Sequence, residues 1–263
     1  MLTEIVVAAL KRDRIIVIAG LTAVTALAWA YVIQFASSMT GMDINAIGMS
    51  MPTTQAWRSG DVLLTFLMWA VMMVAMMTPS ATPMILLFAR VSRQRQADRM
   101  PLLGTMAFLL GYLILWGSFS AGATLVQWGL HSAALLSPEL IRISPALGGM
   151  LLILAGVYQF TPLKHICLSQ CRTPLGFLMT EWREGIRGAL IMGVRHGLYC
   201  VGCCWMLMTL LFVAGVMNLL WVALIAGYIL VEKVAPAGQW ISRAIGGLAV
   251  GWGIWLLLRA LGA

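Results

Sequence analysis

Charge is what this sequence has least of. Aspartate and glutamate number nine and lysine and arginine 17 among 263 residues, so 10% of the chain is charged, against about 25% in an ordinary soluble domain. Mean hydropathy stands at +0.93, and 61% of the residues are hydrophobic. A soluble core of this length has no room for that much apolar surface. Histidine occurs only three times. No P-loop is present, which argues against ATP-driven pumping by this chain alone. The sequence shows neither a paired-carboxylate nor a serine-triad pattern, so hydrolytic chemistry is not indicated. It also lacks the internal repeat that marks many secondary transporters. The net charge of +8 sits between apolar runs rather than on one face, which points to topology and lipid contact and not to nucleic acid.

The apolar runs are what the chain does have. Crossing a hydrocarbon core of about 30 Å takes about 20 residues as a helix, and seven runs suggest spans: Ile15–Ala36, Val62–Ala89, Leu102–Leu125, Pro145–Phe160, Gly188–Val216, Leu219–Val234 and Ile241–Leu258. The fourth and sixth are short. None shows the alternation of barrel strands, so the expected fold is all-α, a polytopic transmembrane bundle. We expect a single integral membrane domain over residues 1–263, its first span at 15–36 and its motif-bearing core at 62–258. Lys11, Arg12 and Arg14 precede the first run without a small-residue cleavage pattern after it, as in a signal anchor.

With the N-terminus cytoplasmic, thirteen basic residues fall inside, including Lys164 and Lys233, against Arg58, Arg142 and Arg259 outside, while Arg195 lies within a span. That asymmetry sets the orientation and, if all seven runs cross, puts the C-terminus outside. The expected location is the bacterial inner membrane. The longest segments between spans are an outer one at 37–61, with Met39, Met42, Met49 and Met51 as a candidate flap, and an inner one at 161–187.

Soft donors are concentrated in three places. In the fifth run, at about 100° per residue, His196, Cys200, Cys203 and Cys204 share roughly a third of the helix circumference. Imidazole and thiolates converging in this way suit Cu(I), Zn(II) or an iron–sulfur type site. Cysteine as a small packing hydrophobe is the plainer alternative. In the second run, Met72 and Met76 line up at spacing four with Met73 and Met77 beside them, thioethers that suit Cu(I) or simply fill gaps. Counting about 1.5 Å per residue places these methionines and the cysteines at one depth, near the midplane, so the two helices share a site if they touch. Pro79 and Pro83 free carbonyls in the second run. In the inner segment, Cys167 and Cys171 form a second thiol cluster at the cytoplasmic face, a candidate relay or redox pair. Glu232 and Lys233 close the sixth run as an interfacial anchor, with Glu232 also a candidate carboxylate ligand or proton acceptor.

On these residues the sequence resembles a bacterial family of predicted metal-binding integral membrane proteins, a domain of unknown function. The likeness runs through Trp69 to Pro79, through Pro162, Leu163 and Lys164 with Cys167, Cys171 and Arg172, through Cys200 to Met208, and through Gly215 to Ala223 and Glu232, Lys233 and Pro236. It covers most of the chain after residue 60 and implies metal binding without naming a substrate or reaction. Three functions follow as expectations. The first is soft-metal handling: transport, insertion or storage of a transition metal, copper before zinc or iron, as Cu(I). The second is a membrane metalloenzyme or redox protein acting on a lipophilic substrate, a quinone or oxygen. The third is a structural subunit whose cysteines only pack. A carrier site is closed or transient, whereas an enzyme keeps an open coordination position. Expected partners are membrane lipids, the metal ion and either a second copy or a partner membrane subunit, with no nucleic acid.

Overall fold

The computed structural model describes residues 2–41, 59–95, 101–132, 136–137, 142–143, 145–216 and 218–262. The described chain is helical apart from one two-residue antiparallel pair, β1 (Leu136–Ser137) with β2 (Arg142–Ile143). The helices are α1 (Leu2–Gly41), α2 (Ser59–Arg95), α3 (Pro101–Ser132), α4 (Pro145–Tyr158), α5 (Pro162–Arg172), α6 (Pro174–Glu181), α7 (Gly185–Ala214), α8 (Leu219–Val234) and α9 (Gly238–Gly262).

Among the described residues, five stretches are long and apolar enough to cross a membrane: Arg14–Ser37, Ser59–Arg95, Leu102–Ser132, Gly185–Ala214 and Gly238–Leu261. A sixth arises if the pair Ala146–Tyr158 and Pro162–Arg172, bent by 64°, is one broken span. The difference from seven lies in the two short runs. Helix α8 has 16 residues, a rise of only about 24 Å. Outward faces are apolar, with Leu27 70%, Leu248 73% and Leu261 83% exposed. Such surfaces are compatible with lipid contact. Met42, Met49 and Met51 of the expected outer flap lie outside the described residues, and Met39 falls near the end of α1.

The inner segment at 161–187 is largely helical. Thr161 caps α5, its side chain accepting from the Lys164 N–H, and Pro162 takes the first turn, where a missing N–H costs nothing. Pro174 opens α6 in the same way. Both helices fold back onto the bundle, α5 against α7 and α6 against α2.

Two glycine seams set how close the helices come. On α3 and α7, a Cβ at Gly111 would meet the backbone of Leu190 and Val194, and one at Gly193 would meet the Phe108 carbonyl. On α4 and α9, Gly149 and Gly253 face each other's carbonyls, as do Gly156 and Gly246. Small residues at such contacts let membrane helices pack backbone to backbone.

Helix α2 runs unbroken through Pro79 and Pro83. Pro79 has no N–H for the Ala75 carbonyl four residues earlier. The Trp29 indole of α1 donates to that carbonyl instead, at 3.1 Å. A second indole, Trp69 Nε1, donates to Gln127 Oε1 at 2.7 Å and ties α2 to α3.

Candidate metal centre

The centre is built on α7. Its inward face carries His196, Cys200, Cys203 and Cys204, all buried, as the helical spacing requires. The seam with α3 brings that face against Tyr112, whose hydroxyl lies 3.3 Å from Cys200 Sγ and donates to the Met77 carbonyl at 3.3 Å. From α2, Met77 Sδ lies 3.9 Å from Cys204 Sγ. The helices of the methionine stripe and the cysteine face therefore touch. Of the four methionines the thiol contacts reach Met77, while Met72, Met73 and Met76 lie equally buried in the same core.

The two thiol clusters that stand apart in the sequence are one cluster in space. Cys167 Sγ sits in the notch left by Gly202, where an added Cβ would be 2.7 Å away. One turn further along α5, the half-buried Cys171 interacts side chain to side chain with Cys200 and Cys203. The α5 thiols thus lie directly against the α7 thiols. All five cysteines are free thiols.

Helix α8 closes the site at its last turn. Lys233 donates to Cys200 Sγ and to Ser80 Oγ, both at 3.0 Å. Since Lys233 is the second-last residue of α8, the thiols are level with the end of that helix. The chain turns just beyond, where Arg172 donates to the carbonyls of Ala235 at 2.7 Å and Pro236 at 3.1 Å.

The interfacial-anchor expectation for Glu232 and Lys233 is corrected by burial, for Glu232 is 0% and Lys233 7% exposed. Glu232 takes its partners from α5 and from its own helix. It pairs with Lys164 Nζ at 2.6 Å and accepts from Tyr228 at 3.0 Å, leaving Oε2 buried without a partner among the described residues. Gln159 completes this patch, accepting from Lys164 and from Ser242 at 3.0 Å. Burial to this degree is tolerated because each charge finds an opposite or polar partner. Arg195 pairs with Glu181 at the bundle surface.

His196 shares the cysteine face but sits one turn away, ringed by Phe177 at 5.5 Å, Tyr112 at 5.8 Å and Phe108 at 6.0 Å between centroids. Its Nδ1 is buried and unpartnered among the described residues. As placed, no three His, Cys, Asp or Glu side chains converge in metal-holding geometry among the described residues. Cys203 and Cys204 hydrogen-bond back to the Cys200 carbonyl at 3.1 and 2.8 Å, and Lys233 donates to Cys200. Each thiol is a single χ1 rotation from another staggered position.

Tyr112 and Ser80 went unread in the sequence because each reaches the site only across a helix interface. Lys233 carried a usable signal. Val222, Ile225 and Ile229 form a buried stripe on α8, and at helical spacing Glu232 and Lys233 continue it inward.

A separate cavity of about 630 Å³ opens between α4, α7, α8 and α9, lined by Leu152, Leu207, Trp221, Tyr228, Trp252 and Trp255 among others, and by none of the candidate ligands.

No curated protein and no solved structure matches the chain. A family model does match, over residues 66–256, which spans both halves of the thiol cluster and the methionine helix. The chain accordingly belongs to the family described as copper chaperone, PpoB2.

Proposed function

We propose that this protein takes up Cu(I) as cargo within a membrane and hands it on through a sulfur site formed by Cys200, Cys203 and Cys204 of α7, Cys167 and Cys171 of α5, and Met77 of α2. The observation that carries this is the meeting of α5 and α7 thiols, with a thioether at 3.9 Å from Cys204. The donor chemistry fits a soft monovalent ion. Thiolate and thioether sulfur favour Cu(I), whereas carboxylate and water favour harder ions, and Cys200, Cys203 and Cys204 are fully buried.

Metal binding requires the thiolate form and releases protons. The half-buried Cys171 is the natural first contact, passing the ion inward to Cys200 and Cys203 by ligand exchange. The buried, unpartnered Nδ1 of His196 is a further donor one turn along α7. Met72, Met73 and Met76 extend the soft lining of the core, and Glu232 acts through its pair with Lys164, not as a ligand.

We further place the protein in the bacterial inner membrane as one integral domain of seven spans, counting the bent α4–α5 pair and α8, with the N-terminus inside. With Lys164 and Lys233 drawn into the bundle, eleven of the thirteen inner basic residues still support that orientation, against three outside.

The test is elemental analysis of the full chain in detergent after anaerobic Cu(I) loading, beside Cys200→Ser/Cys203→Ser. Near-stoichiometric copper retained by the wild type and lost in the double variant is the expected result. No retained copper in the wild type would overturn the proposal.

A further inference from the structure

Among the described residues Lys233 is the one buried cation bonded to a site thiol, and copper carriage by sulfur leaves it without a task. Its ammonium donates to Cys200 Sγ and Ser80 Oγ at 3.0 Å each, and it interacts electrostatically with Cys171, Cys203 and Cys204 as well. The carboxylate beside it in sequence, Glu232, is taken by Lys164. Among the described residues no carboxylate pairs with Lys233. The sulfur site therefore contains a fixed positive charge with no acidic partner of its own.

We infer that Lys233 is a charge-selecting residue, biasing the site toward monovalent soft ions and against divalent ones. The inference rests on the thiols being the cargo site. Coulomb repulsion between the ammonium and a metal ion scales with the charge of the ion, so a divalent ion meets twice the repulsion that a monovalent one does. At about 5 Å and an effective dielectric near 20, each unit of metal charge corresponds to about two orders of magnitude in affinity. Thiolate chemistry alone binds Zn(II) as well as Cu(I). A lysine hydrogen-bonded to the ligand sulfur discriminates where the sulfur does not.

Removing the charge should raise divalent affinity by the square of the factor by which it raises monovalent affinity. Other consequences of the substitution, such as an altered cost of deprotonating Cys200, act on both ions alike and cancel in the ratio. Lys233 touches the ligand and not the ion, so it is a positioning residue for charge, and the ratio is the quantity to read.

The experiment measures Cu(I) and Ag(I) against Zn(II) and Cd(II) on the full chain in detergent, by competition with chelators of known affinity. In Lys233→Met the monovalent-to-divalent affinity ratio should fall by at least about tenfold, whereas Lys233→Arg should keep the wild-type ratio. Lys233→Gln, which retains a hydrogen-bond donor, replaces the methionine variant if that one is not recovered folded. An unchanged ratio in the neutral variant, or equal losses for both classes of ion, would overturn the inference. So would a wild type that holds Zn(II) as tightly as Cu(I). A wild type that retains neither ion would instead sink the cargo site itself.

Discussion

A proline in the middle of a long helix leaves an acceptor without its donor, and here the orphan is satisfied from outside. The Ala75 carbonyl, deprived by Pro79, receives the Trp29 indole at 3.1 Å, so α1 is fastened to α2 at the level where α2 is weakest. Trp29→Phe should lower stability by about 1 kcal/mol, the usual net worth of such a bond, measured by reversible unfolding in detergent. No change would mean that Ala75 is satisfied otherwise. The residue scale is also where the sequence was most and least legible. His196, Cys200, Cys203 and Cys204 were readable as one face because a single helix fixes their spacing. That Cys171 meets Cys203, or Tyr112 meets Cys200, depends on how helices cross, and local pattern carries no record of it. The adjacent charges Glu232 and Lys233 looked interfacial because they end an apolar run. They are buried because α8 packs its last turn against α2 and α5, where Lys164, Ser80 and Cys200 receive them.

Among the elements, the α3–α7 seam decides whether the site exists. Gly111 and Gly193 allow backbone contact, and that contact carries Tyr112 to Cys200 and Phe108 to the His196 ring. Gly193→Ala should push α7 off α3, costing about 1–3 kcal/mol as overpacking does and loosening copper retention. Gly117→Ala on α3, where nothing lies within 4 Å of the added carbon, should leave copper retention unchanged. Thermal unfolding with copper quantitation reads both variants, and equal behaviour would show that the seam does not set the site. The five long helices were plain from apolar run length. Helices α5 and α6 were not, because at 11 and 8 residues they fall below what hydropathy marks. Their threonine–proline starts were the available signal.

For the whole molecule the open quantity is parity. With seven crossings and an inner N-terminus, a reporter fused after Ala263 should be active on the periplasmic side and one fused at Met1 on the cytoplasmic side. If the bent α4–α5 pair enters and leaves by the same face, both reporters will be active inside, and the seven-span proposal fails. Hydropathy could not settle this, since a 14-residue helix followed by a 64° bend has the composition of a span and not its length.

The glycine seams also bear on how this gene can drift. Every glycine codon begins with two guanines, so any change at either of those bases installs a side chain or stops translation. At Gly111 and Gly193, and at Gly149, Gly156, Gly246 and Gly253, the added carbon would lie within 3.0 Å of a neighbouring helix's backbone. Beyond synonymous third-base variation these six positions should tolerate little, and they should appear as depleted columns among tolerant neighbours in a saturation map of α3, α4, α7 and α9.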